Sequence, residues 1–283
     1  MSTPIYRSFD QAELDREYSP SSCVENLDHY LEEFARLSAD AREELDVIRD
    51  LRYAPGEGRL IDLFPSHLAS SPLFVFIHGG YWCELTKEES SFLAPAFVRA
   101  GASFAALDYP LAPAASLPEI VTACEQGLAW LVGEAKELGF DPRRMVVCGM
   151  SAGAHLATML ATSEHTAKPA AVVALSGIYD LEPIRLSYVN EPLQLDRTTS
   201  ERCSPIRRIR AGLPPLIVAY GENETHEFKR QSNEMATAWL AAGNHCRSIH
   251  VPKVNHFNII HDCGDPTTEL GRVVLELTGL GSS

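Results

Sequence analysis

The sequence predicts an α/β fold in which helices flank a mostly parallel central sheet. After Pro55, short apolar runs typical of buried strands alternate with longer amphipathic stretches typical of helices, and this alternation favours parallel strands. Gly101, Gly139 and Gly243 each follow a predicted helix, where a residue with positive φ often ends the helix. The strands are predicted at 60–64, 73–77, 103–107, 145–148, 171–175, 216–220 and 247–251, and the helices at 88–100, 118–138, 152–163, 228–242 and 266–278.

The first 55 residues are predicted to form a helical segment ahead of this alternating region. Ser22 and Glu25 have the spacing of a helix-capping pair, and Asp40 and Glu43 mark the start of a second helix. Apolar residues recur at helical spacing, first at Leu27, Tyr30, Leu31, Phe34 and Leu37 and then at Leu45, Ile48 and Leu51. Acidic residues occupy the outer faces, so we expect a charged helical cover on the core.

A His-Gly-Gly-Tyr-Trp motif at residues 78–82 directly follows the strand predicted at 73–77. In serine hydrolases, a loop of this kind brings backbone N–H groups to the substrate carbonyl and stabilises its developing negative charge. We therefore expect the amides of Gly80 and Tyr81, together with that of Ala152, to form an oxyanion hole. His78 itself is expected to be a structural hydrogen-bonding residue.

A Gly-Met-Ser-Ala-Gly motif at residues 149–153 lies between a predicted strand and a predicted helix. A nucleophilic serine on such a tight turn needs small neighbours, because the strained backbone leaves no room for larger side chains. The helix N-terminus behind it adds a positive dipole and free N–H groups. The motif and its context together predict that Ser151 is a catalytic nucleophile.

The stretch 178–212 interrupts the alternation, since it contains no clear strand. An insertion of this length after a sheet strand is a candidate lid over an active site. Internal repeats, low-complexity tracts and long Gly/Ser linkers are absent from the sequence, so residues 1–283 are predicted to form a single domain.

A catalytic acid is expected in the loop after strand 216–220, because in this fold an Asp or Glu follows the nucleophile in chain order. Glu222, Glu224 and Glu227 all lie in or beside that loop, and their spacing alone does not choose between them. Glu227 begins the next predicted helix, where it would act as a helix-capping residue instead.

The catalytic base is predicted to be His256, which follows the last predicted strand, as the base does in this chain order. The competing histidines are His226, His245, His250 and His261. His250 lies within the strand and His245 before it, which leaves His261, near the last helix, as the main alternative.

Composition excludes several other classes of protein. Lys and Arg number 24 against 38 Asp and Glu, and an acidic chain with a net charge of −14 is poorly suited to nucleic acid. The sequence has no apolar run near the length of a membrane span and no signal-peptide pattern at its start. Its seven cysteines show no C-x-x-C spacing, so we expect reduced thiols, no structural metal and a cytoplasmic location.

Several motifs together resemble the kynurenine formamidase (arylformamidase) group of α/β hydrolases, which is related to the hormone-sensitive-lipase-like esterases. They are HGGYW, GMSAG, LDYPLAP at 107–113, SGIYDLEPIRLSYVN at 176–190 and YRSFDQAELDREYSP at 6–20. In that group the acid lies three residues before an E-F-x-R-Q-S stretch, here 227–232, so the resemblance points to Glu224. Members often have Asp there, and this chain differs by one methylene.

The resemblance implies a metal-independent serine hydrolase that cleaves a small acyl amide, such as N-formylkynurenine, through an acyl-enzyme and without a cofactor. The alternatives are a carboxylesterase or a carbamate or other amide hydrolase with the same triad, and a non-catalytic binding protein that kept the pocket. We expect a small-molecule substrate and no nucleic-acid or membrane partner, and we leave a homodimer open. The residues expected to bind an aromatic leaving group are Trp82, Tyr179, Tyr188 and Phe257, with ordinary core packing as the alternative for each.

Overall fold

A twisted sheet of eight strands forms the centre of the computed structural model, which describes residues 3–164 and 167–280. The strands are β1 (Ile48–Arg52), β2 (Leu60–Phe64), β3 (Ser71–Ile77), β4 (Ser103–Leu107), β5 (Phe140–Met150), β6 (Ala171–Leu175), β7 (Leu216–Asn223) and β8 (Cys246–Asn255). Their spatial order is β1-β2-β4-β3-β5-β6-β7-β8. The pairs β1–β2 and β2–β4 are antiparallel, and every pair from β4 to β8 is parallel. The predicted mostly parallel sheet is therefore confirmed.

Helices cover both faces of this sheet. They are α1 (Gln11–Glu17), α2 (Leu27–Glu44), α3 (Ala94–Ala100), α4 (Leu117–Leu138), α5 (Ala152–Thr162), α6 (Glu182–Leu186), α7 (Asn190–Leu193), α8 (Arg197–Arg202), α9 (His226–Ala241), α10 (Ile259–Gly264) and α11 (Glu269–Thr278). Short 3-10 turns occur at Pro20–Cys23, Lys87–Glu89 and Pro205–Arg208. No helix in the described ranges is long and apolar enough to cross a membrane.

Strand β3 illustrates how the core is divided between the two faces. Successive side chains of a strand point to opposite faces, so Val75 and Ile77 join the core cluster under α4, α5 and α9. Phe74 and Phe76 join the other cluster, under α2, α3 and α11. All four side chains are buried, because the sheet is covered on both sides.

The predicted second N-terminal helix is wrong, since Ile48–Arg52 forms strand β1. Helix α2 continues to Glu44, so Asp40 and Glu43 lie inside it and do not start a new helix. The i, i+3 spacing of Ile48 and Leu51 is compatible with a helix, but β2 would then be left with an unpaired edge. Lys87 also stabilises this edge by pairing with Asp50 and the fully buried Asp62 at 2.9 and 3.0 Å.

The stretch 178–212 contains α6, α7, α8 and a 3-10 turn, and its described residues include no strand. The predicted helical insertion is therefore confirmed as part of the fold. The helix predicted at 88–100 is shorter than expected, because α3 begins only at Ala94, with Pro95 in its first turn. Helix α10 was missed, since it is a short element beside the last strand.

Candidate active site

Ser151 lies on the sharp turn that joins β5 to α5, at the carboxyl edge of the sheet. Its backbone has φ 57° and ψ −119°, a conformation that non-glycine residues rarely adopt. Its N–H donates to the carbonyl of Leu175 at 2.9 Å, and its carbonyl accepts from Ala154 at 3.0 Å as the helix begins. The strained turn lifts the side chain away from the sheet and places it beside a cavity.

The glycines on either side of Ser151 are required by close backbone contacts. A Cβ atom on Gly149 would overlap the backbone of Gly153, and one on Gly153 would overlap the carbonyl of Ile77 in β3. A Cβ atom on Gly79 would lie only 3.3 Å from Cβ of Ser151. The glycines therefore allow the turn and the His-Gly-Gly loop to pack directly against each other.

His256 and Glu224 form a buried pair across the ends of β7 and β8. Nδ1 of His256 lies 3.0 Å from Oε2 of Glu224, and both side chains are almost completely buried. The His256 ring also packs against Phe228 and Phe257, with centroids 4.5 and 5.3 Å away. These contacts fix the ring plane, so that a proton on Nδ1 faces the carboxylate and Nε2 is left as the acceptor nitrogen.

The alternatives for the acid and the base lie in other environments. Glu222 accepts a hydrogen bond from the backbone of Lys253 on the surface. Glu227 is paired with Arg230 at 2.7 Å and accepts a hydrogen bond from the hydroxyl of Tyr18 at 2.8 Å. His261 lies on α10, with its Nε2 3.4 Å from a carboxylate oxygen of Glu33.

The second oxygen of Glu224 has its own two donors, which the sequence reasoning missed. Oε1 accepts from the hydroxyl of Ser176 at 2.7 Å and from the backbone N–H of Gly221 at 2.5 Å. Ser176 is the first residue after β6 and is fully buried. Its position at the carboxyl edge of a parallel strand is the signal that would have included it among the candidates.

The His-Gly-Gly loop is held by a tyrosine and an aspartate of the next strand end. The hydroxyl of Tyr109 donates to the carbonyls of His78 and Gly79, both at 3.0 Å, and its ring stacks on His78. Nε2 of His78 lies 3.3 Å from Oδ1 of Asp108. The side chain of His78 is thus buried in structural contacts, and Gly80 and Tyr81 are the residues of this loop that line the cavity.

The loop turns sharply after Gly79. Gly80, Tyr81 and Trp82 all have positive φ, and the carbonyl of Gly80 accepts from Cys83 and Glu84 at 2.9 and 3.0 Å. Gly80 and Tyr81 line the same cavity as Ser151 and His256. Of the three predicted oxyanion residues, Ala152 is not among the cavity-lining residues, but it follows Ser151 directly as the first residue of α5.

The cavity has a volume of about 330 Å³ and is lined mainly by apolar side chains. Its floor includes Ser151, Met150 and His256. The N-terminal segment, predicted to be a cover, also contributes a wall made of Pro20, Ser21, Leu27, Leu31 and Phe34. The insertion contributes the facing wall through Tyr188, Val189, Glu191 and Pro192.

Two of the four predicted substrate-binding residues line this cavity, namely Tyr188 and Phe257. The structure places the other two in the core. Trp82 is fully buried, and its Nε1 donates to Nδ1 of His155 at 3.2 Å. Tyr179, near the start of the insertion, is fully buried, and its backbone N–H donates to Oε1 of Gln231 at 2.6 Å. Trp82 and Tyr179 are therefore core residues, which was the alternative for each. The packing of strands and loops decides where an aromatic ring points, and the position of the residue in a motif does not.

The ionisable groups of the cavity are mostly acidic or neutral. Glu84 and Glu191 line it, whereas no Lys or Arg does so in the described part of the chain. Burial raises the pKa of the Cys83 thiol to about 11, so this thiol is neutral at pH 7 and is a poor competing nucleophile. The described residues also contain no group of three or more His, Cys, Asp or Glu arranged to hold a metal ion.

Comparisons with known proteins find hydrolases that are similar to this chain. The BD-FAE family model matches residues 61–239. Kynurenine formamidase from Danio rerio is 30% identical over an alignment that covers 97% of this chain and 98% of that protein. The same enzyme from Salmo salar is 29% identical with the same coverage. Esterase LipQ from Mycobacterium tuberculosis is 26% identical over 69% of this chain and 53% of its own length.

Solved structures show the same fold. A candidate thioesterase from Silicibacter sp. TM1040 superposes with a TM-score of 0.83 at 28% identity, over 93% of this chain and 98% of that one. Esterase LipW from Mycobacterium marinum superposes with a TM-score of 0.71 at 22% identity, over 96% of this chain and 90% of that one. The cavity, the strained serine and the histidine–carboxylate pair therefore occur in a scaffold that hydrolases share.

Proposed function

This chain belongs to the BD-FAE family and to the kynurenine formamidase-like α/β hydrolases, and from that premise we propose that Ser151, His256 and Glu224 are its catalytic triad. The protein is a hydrolase of the arylformamidase or carboxylesterase type. The proposal assigns the chemistry to specific side chains. The observation that carries it is the 3.0 Å pair of His256 and Glu224 beside a cavity that also contains the strained Ser151.

In the proposed reaction, the hydroxyl oxygen of Ser151 attacks the substrate carbonyl while Nε2 of His256 takes its proton. Glu224 holds the tautomer with the proton on Nδ1 and stabilises the imidazolium that forms. His256 then gives the proton to the leaving nitrogen or oxygen, which departs and leaves an acyl-serine. Water, activated by the same nitrogen, releases the acid and restores Ser151.

The backbone amides of Gly80, Tyr81 and Ala152 are the proposed oxyanion donors. Gly80 and Tyr81 are at the cavity wall, and Ala152 begins helix α5 directly after Ser151, where the N-terminus of a helix carries a partial positive charge. One such donor contributes about 3 kcal/mol to transition-state stabilisation in comparable sites. Because these donors are backbone groups, side-chain substitutions in the loop act on them only through the loop conformation.

The proposed substrate is an aryl formamide such as N-formylkynurenine. The aromatic side chains of Tyr81, Tyr188 and Phe257 line the cavity and can pack against an aromatic leaving group. The relatives named kynurenine formamidase, which align over nearly the whole chain, support the same substrate class. A short-chain aryl ester is the second candidate, favoured by the esterase relative and by the fact that ester and amide cleavage use the same groups.

Ser151→Ala tests the triad directly. We expect kcat for a formanilide substrate to fall by about 10⁴-fold or more, because the remaining groups cannot form the acyl-enzyme. Labelling by a fluorophosphonate, read by mass spectrometry, should move the mass of the peptide that contains Ser151 and should be absent in the variant. Turnover that survives in Ser151→Ala at the wild-type rate would rule out the mechanism.

A substrate panel separates the two candidate activities. The kcat/KM for N-formylkynurenine is compared with that for short-chain p-nitrophenyl esters and aryl carbamates, with Ser151→Ala as the blank. A higher value for the formamide supports the first candidate, and a higher value for the esters supports the second. A homodimer and a cytoplasmic location stay predictions, which light scattering and cell fractionation would test.

A further inference from the structure

Ser176 occupies a backbone position that a serine rarely adopts. It directly follows β6, its φ is 50°, and its side chain has no exposed surface. Its N–H donates to the carbonyl of Ala219 at 2.8 Å, so the strand pairing with β7 continues into this residue. A positive φ is disfavoured for every residue with a Cβ atom, and a glycine would fit without strain. The presence of a serine instead of a glycine at this position therefore needs a physical reason.

The hydroxyl of Ser176 provides that explanation, because it donates to Oε1 of Glu224 at 2.7 Å. The N–H of Gly221 donates to the same oxygen, and Oε2 is left for Nδ1 of His256. A buried carboxylate keeps its charge only where donors replace the lost water. Two donors on one oxygen also fix the rotation of the carboxylate plane, which decides where the other oxygen points.

We propose that Ser176 is a positioning residue for catalysis, which acts by holding the Glu224 carboxylate in register with His256. This inference rests on the proposed function, because it assumes that Glu224 and His256 are the acid and the base. Ser176 does not line the cavity and is not expected to touch the substrate. A glutamate has one more rotatable bond than an aspartate, so it needs an anchor on its second oxygen more than an aspartate would.

Two substitutions at Ser176 distinguish the effect of the hydroxyl on catalysis from the effect of the strained backbone. Ser176→Gly removes the hydroxyl and relieves the positive φ, so the relief of backbone strain offsets part of the stability lost with the hydrogen bond. Ser176→Ala removes the hydroxyl and keeps the strain. Both variants should lower kcat by about ten- to a hundredfold, the effect expected for one hydrogen bond to a charged group. The KM should change less than twofold, because no substrate contact is altered.

Ser103→Ala is the matched control. Ser103 is also a buried serine of the central sheet, and its hydroxyl pairs with Ser71 at 2.8 Å at the start of β4, far from the triad. This variant should lose thermal stability without a change in kcat. The far-downfield proton resonance of an imidazole Nδ1–H bonded to a carboxylate gives a second readout. It should shift or broaden in both Ser176 variants and stay unchanged in Ser103→Ala.

The outcomes separate this inference from the proposed function. If the wild type hydrolyses its substrate and folded Ser176→Gly retains the wild-type kcat, the positioning role is wrong while the triad stands. If the kcat of the Ser176 variants falls only in proportion to the folded fraction, as measured by circular dichroism, the role of Ser176 is structural and the inference is also wrong. If the wild type shows no turnover and no fluorophosphonate labelling, the proposed function itself fails.

Discussion

At the scale of single residues, Glu224 combines two functions in one side chain. One oxygen contacts His256, and the other is held by Ser176 and Gly221. A Cβ atom on Gly221 would lie 2.6 Å from the carbonyl of Val254 and 3.2 Å from Oε1 of Glu224, so a glycine is required there. The loop therefore fits a glutamate closely.

Glu224→Asp should lower activity although it keeps the charge. The shorter side chain cannot reach both His256 and the Ser176–Gly221 donors, so one set of contacts is lost. We expect kcat to fall by about ten- to a hundredfold, as for a displaced catalytic orienting group. Steady-state kinetics with the preferred substrate measures the change.

Glu222→Asp is the control for this substitution, because Glu222 is an exposed residue at the end of β7, two residues before Glu224. It should retain kcat within about twofold, as expected for a surface change. Full activity of Glu224→Asp would show that the loop adapts to the shorter acid and that the close fit is not functional.

At the scale of elements, the N-terminal segment and the insertion meet over the cavity. The carbonyl of Tyr18, just after α1, accepts from the hydroxyls of Tyr81 at 2.6 Å and Tyr188 at 3.3 Å. Burial raises the pKa of the Tyr81 phenol well above its usual value, so this donor keeps its proton at any working pH. The acidic N-terminal segment therefore also holds the His-Gly-Gly loop and the insertion together.

His155 joins helix α5 to the insertion and is sensitive to acid. Its Nε2 donates to the carbonyl of Cys203 at 2.7 Å, and its Nδ1 accepts from Trp82, so the ring fits only as the neutral tautomer. Burial lowers its pKa to about 4 from an ordinary value of 6.5. The unfolded chain therefore takes up this proton first as the pH falls.

The free energy of unfolding should consequently decrease between about pH 6.5 and pH 4, with this one group contributing about 3 kcal/mol over that window. Urea unfolding at pH 7.5 and pH 4.5 measures the decrease for the wild type and for His155→Gln. The variant should be less stable at pH 7.5 but should lose less stability on acidification. An equal loss in both proteins would show that His155 is not responsible.

At the scale of the whole molecule, the chain is acidic and so are the charged residues of the cavity lining. The chain carries a net charge of −14, and its first 50 residues, which supply one cavity wall, hold thirteen acidic and five basic residues. Glu84 and Glu191 add two carboxylates to the lining itself, and no described Lys or Arg lines it. Charges that line a cleft with apolar walls act more strongly on a ligand than the same charges on an open surface.

This field should discriminate between substrates by their charge. In a series of aryl formamides that differ only in a para substituent, kcat/KM should increase from a sulfonate through a neutral group to a trimethylammonium, by about fivefold per unit charge. The differences should shrink at 0.5 M salt, because screening is stronger there.

Glu191→Gln should reduce the same preference, and Glu276→Gln, on the distant helix α11, should not. Equal rates across the series at low salt would contradict the electrostatic argument. The kcat/KM of the neutral member of the series measures the hydrolase activity separately from the charge preference.

The parts predicted correctly are those that local sequence determines. The periodic strands and helices, including β2, β4 and β6 with their bounds, follow from side-chain alternation and glycine positions. The strand–turn–helix context of Ser151 follows in the same way, because the turn sterically demands glycine at 149 and 153. The family resemblance, which depends on whole motifs, pointed to Glu224 among the three glutamates, and Glu224 is the one that contacts His256 in the structure.

Tertiary structure decided the rest, because it depends on which distant segments come together. Residues 48–52 have a spacing compatible with a helix, but the open edge of β2 makes them a strand. Trp82 and Tyr188 are both aromatic residues in or near motifs, yet packing buries one and leaves the other at the cavity. Likewise, Ser176 contacts an acid 48 residues away only because parallel strands end at one edge of the sheet. The sequence by itself determined which reactive side chains the protein has. The packing of the sheet edge determined which of them lie close enough to act together, because that depends on contacts between distant segments.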